Sequence, residues 1–157
     1  MIIKKTLGKL KGGSDKYQDQ FFQLLNNYHF LKNMIITPFD VSLGEVRSHV
    51  TTHVNLNDHT VSFRIHYTGR IDEYRGTKDL NRQASFYELV DEIEGYMEEG
   101  TVSLLEKLQE LKVDPLEIGG QTMAPTSKPM SEEDWIKFWE SAKIKVDCYF
   151  KLEPLSI

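Results

Sequence analysis

Two stretches of strict alternation constrain this chain more than any other feature. From Glu45 onward, Val46, Ser48, Val50, Thr52 and Val54 fall on one side of an extended backbone, and Arg47, His49, Thr51 and His53 fall on the other. The run Val61-Ser62-Phe63-Arg64-Ile65-His66-Tyr67 repeats the pattern, with Val61, Phe63, Ile65 and Tyr67 on the apolar side. Between them Asn55-Leu56-Asn57-Asp58-His59-Thr60 is rich in turn formers. The two runs therefore predict an antiparallel hairpin with one buried and one wet face.

The flanking sequence supplies what covers the apolar face. A helix is expected over Lys16 to Leu31, opened by Ser14 or Asp15 after Gly12-Gly13, with Phe21, Leu24, Leu25 and Tyr28 as its apolar stripe. Asn33–Thr37 and Phe39–Val41 read as one short strand bent at Pro38, which has no N–H to give a ladder. Arg70-Ile71-Asp72-Glu73-Tyr74 extends the second strand of the hairpin. Ser85-Phe86-Tyr87-Glu88 has the form of a capping box, and Phe86, Val90, Ile93, Met97, Leu104, Leu108 and Leu111 follow at helical spacing. These predict a long helix to about Lys112, weakened at Gly95 and Gly100, where each Gly costs about 1 kcal/mol relative to Ala.

Asp114-Pro115 stops that helix, and 119–130 has the composition of a mobile loop. Ser131 caps a last short helix carrying Trp135, Phe138, Trp139 and Ala142 on one side. A closing strand places Ile144, Val146, Cys148 and Phe150 inward and Lys145, Asp147, Tyr149 and Lys151 outward. The fold class is α+β: an antiparallel or mixed β-sheet of about four strands, packed on one face by a long helix, with additional N-terminal and C-terminal helices. The chain is expected to be a single domain, 1–157, with residues 1–13 a flexible N-terminus. At 157 residues it is long enough to bury roughly two-thirds of the surface its unfolded form exposes.

Charge narrows the partners. Nineteen Lys and Arg against 24 Asp and Glu give a net charge of −5, so no global positive field gathers phosphate backbones, and nucleic acid is not an expected partner. No segment approaches the roughly 18 apolar residues that span a bilayer, and the N-terminus lacks the apolar core of a secretory signal. As a complete natural product, the chain is expected to be cytoplasmic and not to insert into a membrane by itself.

The constellations that carry chemistry are weak. With Val54 opposite Val61, His49 falls opposite His66, but His53 lies about 13 Å along the strand, too far to serve as a third metal ligand. The acidic pairs and clusters, Asp72-Glu73, Asp91-Glu92-Glu94 and Glu98-Glu99, have polar neighbours and read as solvated surface rather than tuned acid–base groups. Cys148, the one cysteine, faces inward, which does not suit a nucleophile. Glycine-rich phosphate loops are absent. No catalytic residue, cofactor or metal is expected. What remains is a locally basic sheet face of Arg47, Arg64 and Arg70 with His49, His53 and His66. Arg47, His49, Arg64 and His66 are the candidate interaction residues for an acidic partner surface.

The order of the pieces is more informative than any one of them. Val46-Arg47-Ser48-His49-Val50, then Tyr67-Thr68-Gly69-Arg70-Ile71-Asp72-Glu73, then a helix closing on Leu105-Glu106-Lys107-Leu108 and running through Leu111-Lys112-Val113-Asp114-Pro115 to Gly119, then Trp135 and Trp139, then the alternating strand Ile144 to Leu152, follow one another. Across about residues 40 to 152 this resembles the C-terminal domain of the Ger(x)C family, the lipoprotein C subunits of spore germinant receptors. Family members carry a signal peptide with a lipid-modified cysteine and two preceding domains, neither of which this sequence shows, and they reside at the spore inner membrane. The resemblance implies a non-enzymatic α+β domain that acts in receptor assembly or germination signalling through protein partners, other receptor subunits among them. Its alternative is a stand-alone small-ligand-binding or adaptor domain, which needs an apolar pocket between sheet and helix where Phe63, Ile65, Ile93 and Met97 are expected.

Overall fold

In chain order the computed structural model, which describes residues 24–25, 30–113 and 131–154, has strand β1 (Phe30–Ile36), a 3-10 turn (Thr37–Phe39), β2 (Val41–Asn55), β3 (Thr60–Tyr74), helix α1 (Gln83–Glu110), helix α2 (Glu132–Ser141) and β4 (Lys143–Glu153). The sheet order is β1-β2-β3-β4. β1 and β2 run antiparallel, as do β2 and β3, whereas β4 runs parallel to β3, so the sheet is mixed. The α+β expectation is borne out.

The central hairpin forms in the register that its alternation demands: Val54 faces Val61 and His49 faces His66. Its turn is organised by Asn55, whose Oδ1 accepts from the backbone N–H of Asn57 and of Asp58, both at 3.1 Å. His59, at φ 55°, then ties the turn to the C-terminal elements. Its carbonyl accepts from Lys143 N at 2.9 Å, its Nε2 lies 2.7 Å from Ser141 Oγ, and its ring stands 4.4 Å from that of Phe138.

Pro38 does not bend one strand. It lies in the 3-10 turn that reverses the chain between two strands, pairing Ile36 with Val41, and its missing N–H is no loss there. Asp40 completes the reversal at φ 49°, its carbonyl accepting from Arg75 N at 2.9 Å. The N-terminal helix expected to reach Leu31 ends sooner, because Phe30 and Leu31 already belong to β1. Leu24 and Leu25 are helical and buried in the core, and the Leu24 carbonyl accepts from Ser48 Oγ on β2. The rest of that predicted helix, residues 1–13, Asp114-Pro115 and the loop 119–130 lie outside the described residues.

α1 supplies the cover. Leu89, Val90, Ile93, Met97, Leu104, Leu105 and Leu108 are buried along it, and Thr101 joins them by donating its hydroxyl to the Met97 carbonyl at 2.7 Å. The helix starts two residues before Ser85, at Gln83, with Arg82 as N-cap and no side-chain cap. The capping-box reading is therefore corrected: Asp79 organises the entry, accepting from Asn81 N through Oδ1 and from Arg82 N through its carbonyl, both at 3.1 Å. Nor does the helix break at Gly95 or Gly100. The buried stripe on its opposite side outweighs the propensity cost of two glycines.

Ser131 caps α2 as expected, its Oγ accepting from Asp134 N at 3.2 Å. Trp135, Phe138, Trp139 and Ala142 are all buried. Gln109 on α1 locks the end of α2, donating through Nε2 to the carbonyls of Trp139 and Ala142, each at 2.8 Å. Between sheet and α1, Phe63, Ile65, Ile93 and Met97 are at most 1% exposed. Among the described residues these four side chains belong to one packed core cluster, which speaks against an open apolar ligand pocket there.

Candidate interaction face

One side of the sheet packs against the helices, and the register arranges the side chains of the other in rows. Phe30, Arg47, Thr68 and Lys151 form one row across the four strands. His49, His66 and Tyr149 form the next, then Thr51, Arg64 and Asp147, then His53, Ser62 and Lys145. All four predicted interaction residues, Arg47, His49, Arg64 and His66, are exposed and share this face. His66 stacks on Tyr149 with ring centroids 5.1 Å apart and planes 19° from parallel. The Arg47 guanidinium stands 5.3 Å from the Phe30 ring centroid, a cation–π contact at the sheet edge. His49 and His66 are cross-strand neighbours, flanked in register by Arg47–Thr68 and Thr51–Arg64. Among the described residues no group of three or more His, Cys, Asp or Glu side chains is placed to hold a metal ion.

Arg70 lies on the same face but is already engaged. It pairs with Asp72 at 2.7 Å and Glu45 at 3.0 Å, and these carboxylates raise its pKa, Asp72 most. The pairing sits on a β-bulge, where the register shifts between Gly44 and Arg47 and Glu45 takes φ 51°. A Cβ on Gly44 would lie 2.2 Å from Asp72 Oδ2, so any larger residue there would displace the carboxylate that pairs with Arg70. Beside the bulge, Arg47, Arg70, Lys151, Glu45 and Glu153 line an open groove of about 350 Å³ floored by Thr68 and Gly69.

Sequence reasoning missed Lys145, Tyr149 and Lys151 as members of this face. The alternation of β4 shows that they point outward, but only the parallel pairing with β3 brings them beside Arg64, His66 and Thr68. On the buried side, Cys148 is 2% exposed, and burial, followed by the nearby Glu98 carboxylate, pushes its thiol up to about 12. Tyr67, in hydrogen-bond contact with Thr101 and Cys148, is likewise held well above the ordinary phenol range by burial. Neither group is set up to act as a nucleophile or base near neutral pH.

Residues 1–154 match the family described as "Spore germination B3/ GerAC like, C-terminal". The chain belongs to that family. The match runs through β1 and the residues before it, wider than the span from 40 to 152 that carries the resemblance in sequence, and it bears that resemblance out. No curated protein matches the chain. Among solved structures, the crystal structure of the GerBC protein superposes with a TM-score of 0.64 at 13% identity, over 88% of this chain and 46% of that one. At that identity the likeness shows the fold, an α+β domain common to both, and this GerAC-like chain spans less than half the length of GerBC. No helix among its described residues is long and apolar enough to cross a membrane.

Proposed function

We propose that this GerAC-like domain is a non-catalytic part of a germinant receptor C subunit, at the spore inner membrane, and that it acts in receptor assembly or germination signalling through protein contacts on its outer sheet face. Arg47, His49, Arg64 and His66 are the centre of that contact. The observation that carries the reading is the difference between the two faces of one sheet. The inner face meets helices and fills its space with apolar side chains, while the outer face carries exposed cations, imidazoles and a tyrosine in ordered rows. A rigid platform with one bare, chemically distinctive face suits a component that is docked against other proteins. Family membership supports the setting.

The test is charge reversal in the full-length protein. Arg47→Glu with Arg64→Glu leaves the core untouched, since both side chains are exposed. The double variant is expected to fold normally by circular dichroism and to lose co-purification with the other receptor subunits. Undiminished co-purification would remove this face from the assembly.

A further inference from the structure

We infer that the surface seated on the outer sheet face is an acidic segment of a partner protein, held by Lys145 and Lys151 of β4 as much as by Arg47 and Arg64. The inference rests on the outer face being the contact face, and it adds the partner's chemistry and two residues from a distant part of the sequence.

Charge is segregated in this fold. The chain is net −5, and α1 carries Asp and Glu along its length with Lys107 as its one basic residue. The outer sheet face is the opposite: Arg47, Arg64, Lys145 and Lys151 are exposed, and none makes an ion pair among the described residues. Asp147 stands beside Arg64 and Glu153 beside Arg70, which leaves an excess of unpaired cations. Arg47 and Lys151 flank Thr68 on either side, two strand spacings or about 10 Å apart, and Arg64 lies four residues from Thr68, about 13 Å along β3. A polypeptide with carboxylates about 10–13 Å apart meets all three. At the centre lies the row His49, His66 and Tyr149, which offers hydrogen bonds and flat rings. Glu45, Asp72, Asp147 and Glu153 lie among these cations and repel a uniformly anionic bilayer, whereas a peptide can set its carboxylates against the cations alone, so a protein segment fits better than a lipid surface.

Two measurements test this separately from the contact face itself. The first titrates the purified full chain with a short Glu-Ser repeat peptide and, in parallel, with phosphatidylglycerol vesicles. Peptide binding is expected to perturb outer-face resonances, to weaken steeply as salt is raised from about 50 to about 300 mM, and to fall about tenfold or more in Lys145→Glu/Lys151→Glu while persisting in Lys145→Arg/Lys151→Arg. Binding to vesicles without binding to the peptide, or equal peptide binding by the charge-reversed variant, would overturn the inference. The second follows association with the other receptor subunits. Thr51→Trp puts bulk in the middle of the face without changing charge. If Thr51→Trp abolishes association while Lys145→Glu/Lys151→Glu leaves it intact, the contact face stands and the acidic partner falls. If Thr51→Trp has no effect, the contact face itself is overturned, and the inference with it.

Discussion

Glu98 on α1 accepts a hydrogen bond through Oε1 from the backbone N–H of Cys148 on β4, at 3.0 Å. β4 is an edge strand, and alternate N–H groups of an edge strand point away from the sheet with no ladder partner. Glu94, one turn earlier on the same helix, accepts from the backbone of Phe150 in the same way. Two carboxylates from the covering helix therefore occupy two of the donors that another β-strand would pair with, which blunts that edge of the sheet.

Removing Glu98 should open that edge. Glu98→Ala leaves a partly buried N–H without its acceptor, which costs about 1–2 kcal/mol, and it exposes a template for strand addition. A lower denaturation midpoint with concentration-dependent self-association in sedimentation velocity is the expected result. A variant that is both as stable and as monomeric as the parent would show that the contact is incidental.

Glu94 gives a pH signature. Burial raises its carboxyl above the ordinary range, opposed by the Phe150 hydrogen bond. A raised carboxylate favours the protonated form in the folded state. Its contribution is therefore fully present below the unfolded value of about 4.3 and is lost as pH rises through the folded value. Glu94→Gln keeps an acceptor for Phe150 but cannot ionise. It should raise the melting temperature at pH 7 relative to the parent, and the gain should shrink toward pH 4. A gain that does not change with pH would contradict this origin.

Cys148 should be silent in the folded protein. With its thiol at about 12 and its side chain buried, reaction with a disulfide reagent at pH 8 should wait for unfolding, whereas the denatured chain reacts within the mixing time. The same shift acts on stability. The buried thiol favours folding below the unfolded value of about 8.5, and that contribution is lost as pH rises toward 12. Rapid labelling of the native chain at pH 8 would mean that β4 opens readily.

Local pattern carried most of the fold and about half of the face. The register of β2 and β3 was legible because a slip by one residue would turn Val50 and Phe63 into solvent, and the Ser131 cap because it acts within one helical turn. Pro38 was ambiguous: a proline without a donor suits an edge-strand bend and a tight reversal alike, and the choice is made by the pairing of Ile36 with Val41. Ser85 and Glu88 matched a capping box, but the turn set by Asp79 starts the helix earlier. Lys145 and Lys151 were invisible as neighbours of Arg64 and Thr68 because parallel pairing joins segments some eighty residues apart, and no local signal encodes it.

Diethyl pyrocarbonate labelling of His49 and His66, read by mass spectrometry, tests the proposed contact face most directly. Both imidazoles are exposed in the isolated chain and should be modified there, and both should be protected when the full-length protein sits in its assembled receptor. Equal modification of His49 and His66 in the free and assembled states would contradict the proposal that the outer sheet face is where this domain meets its partners.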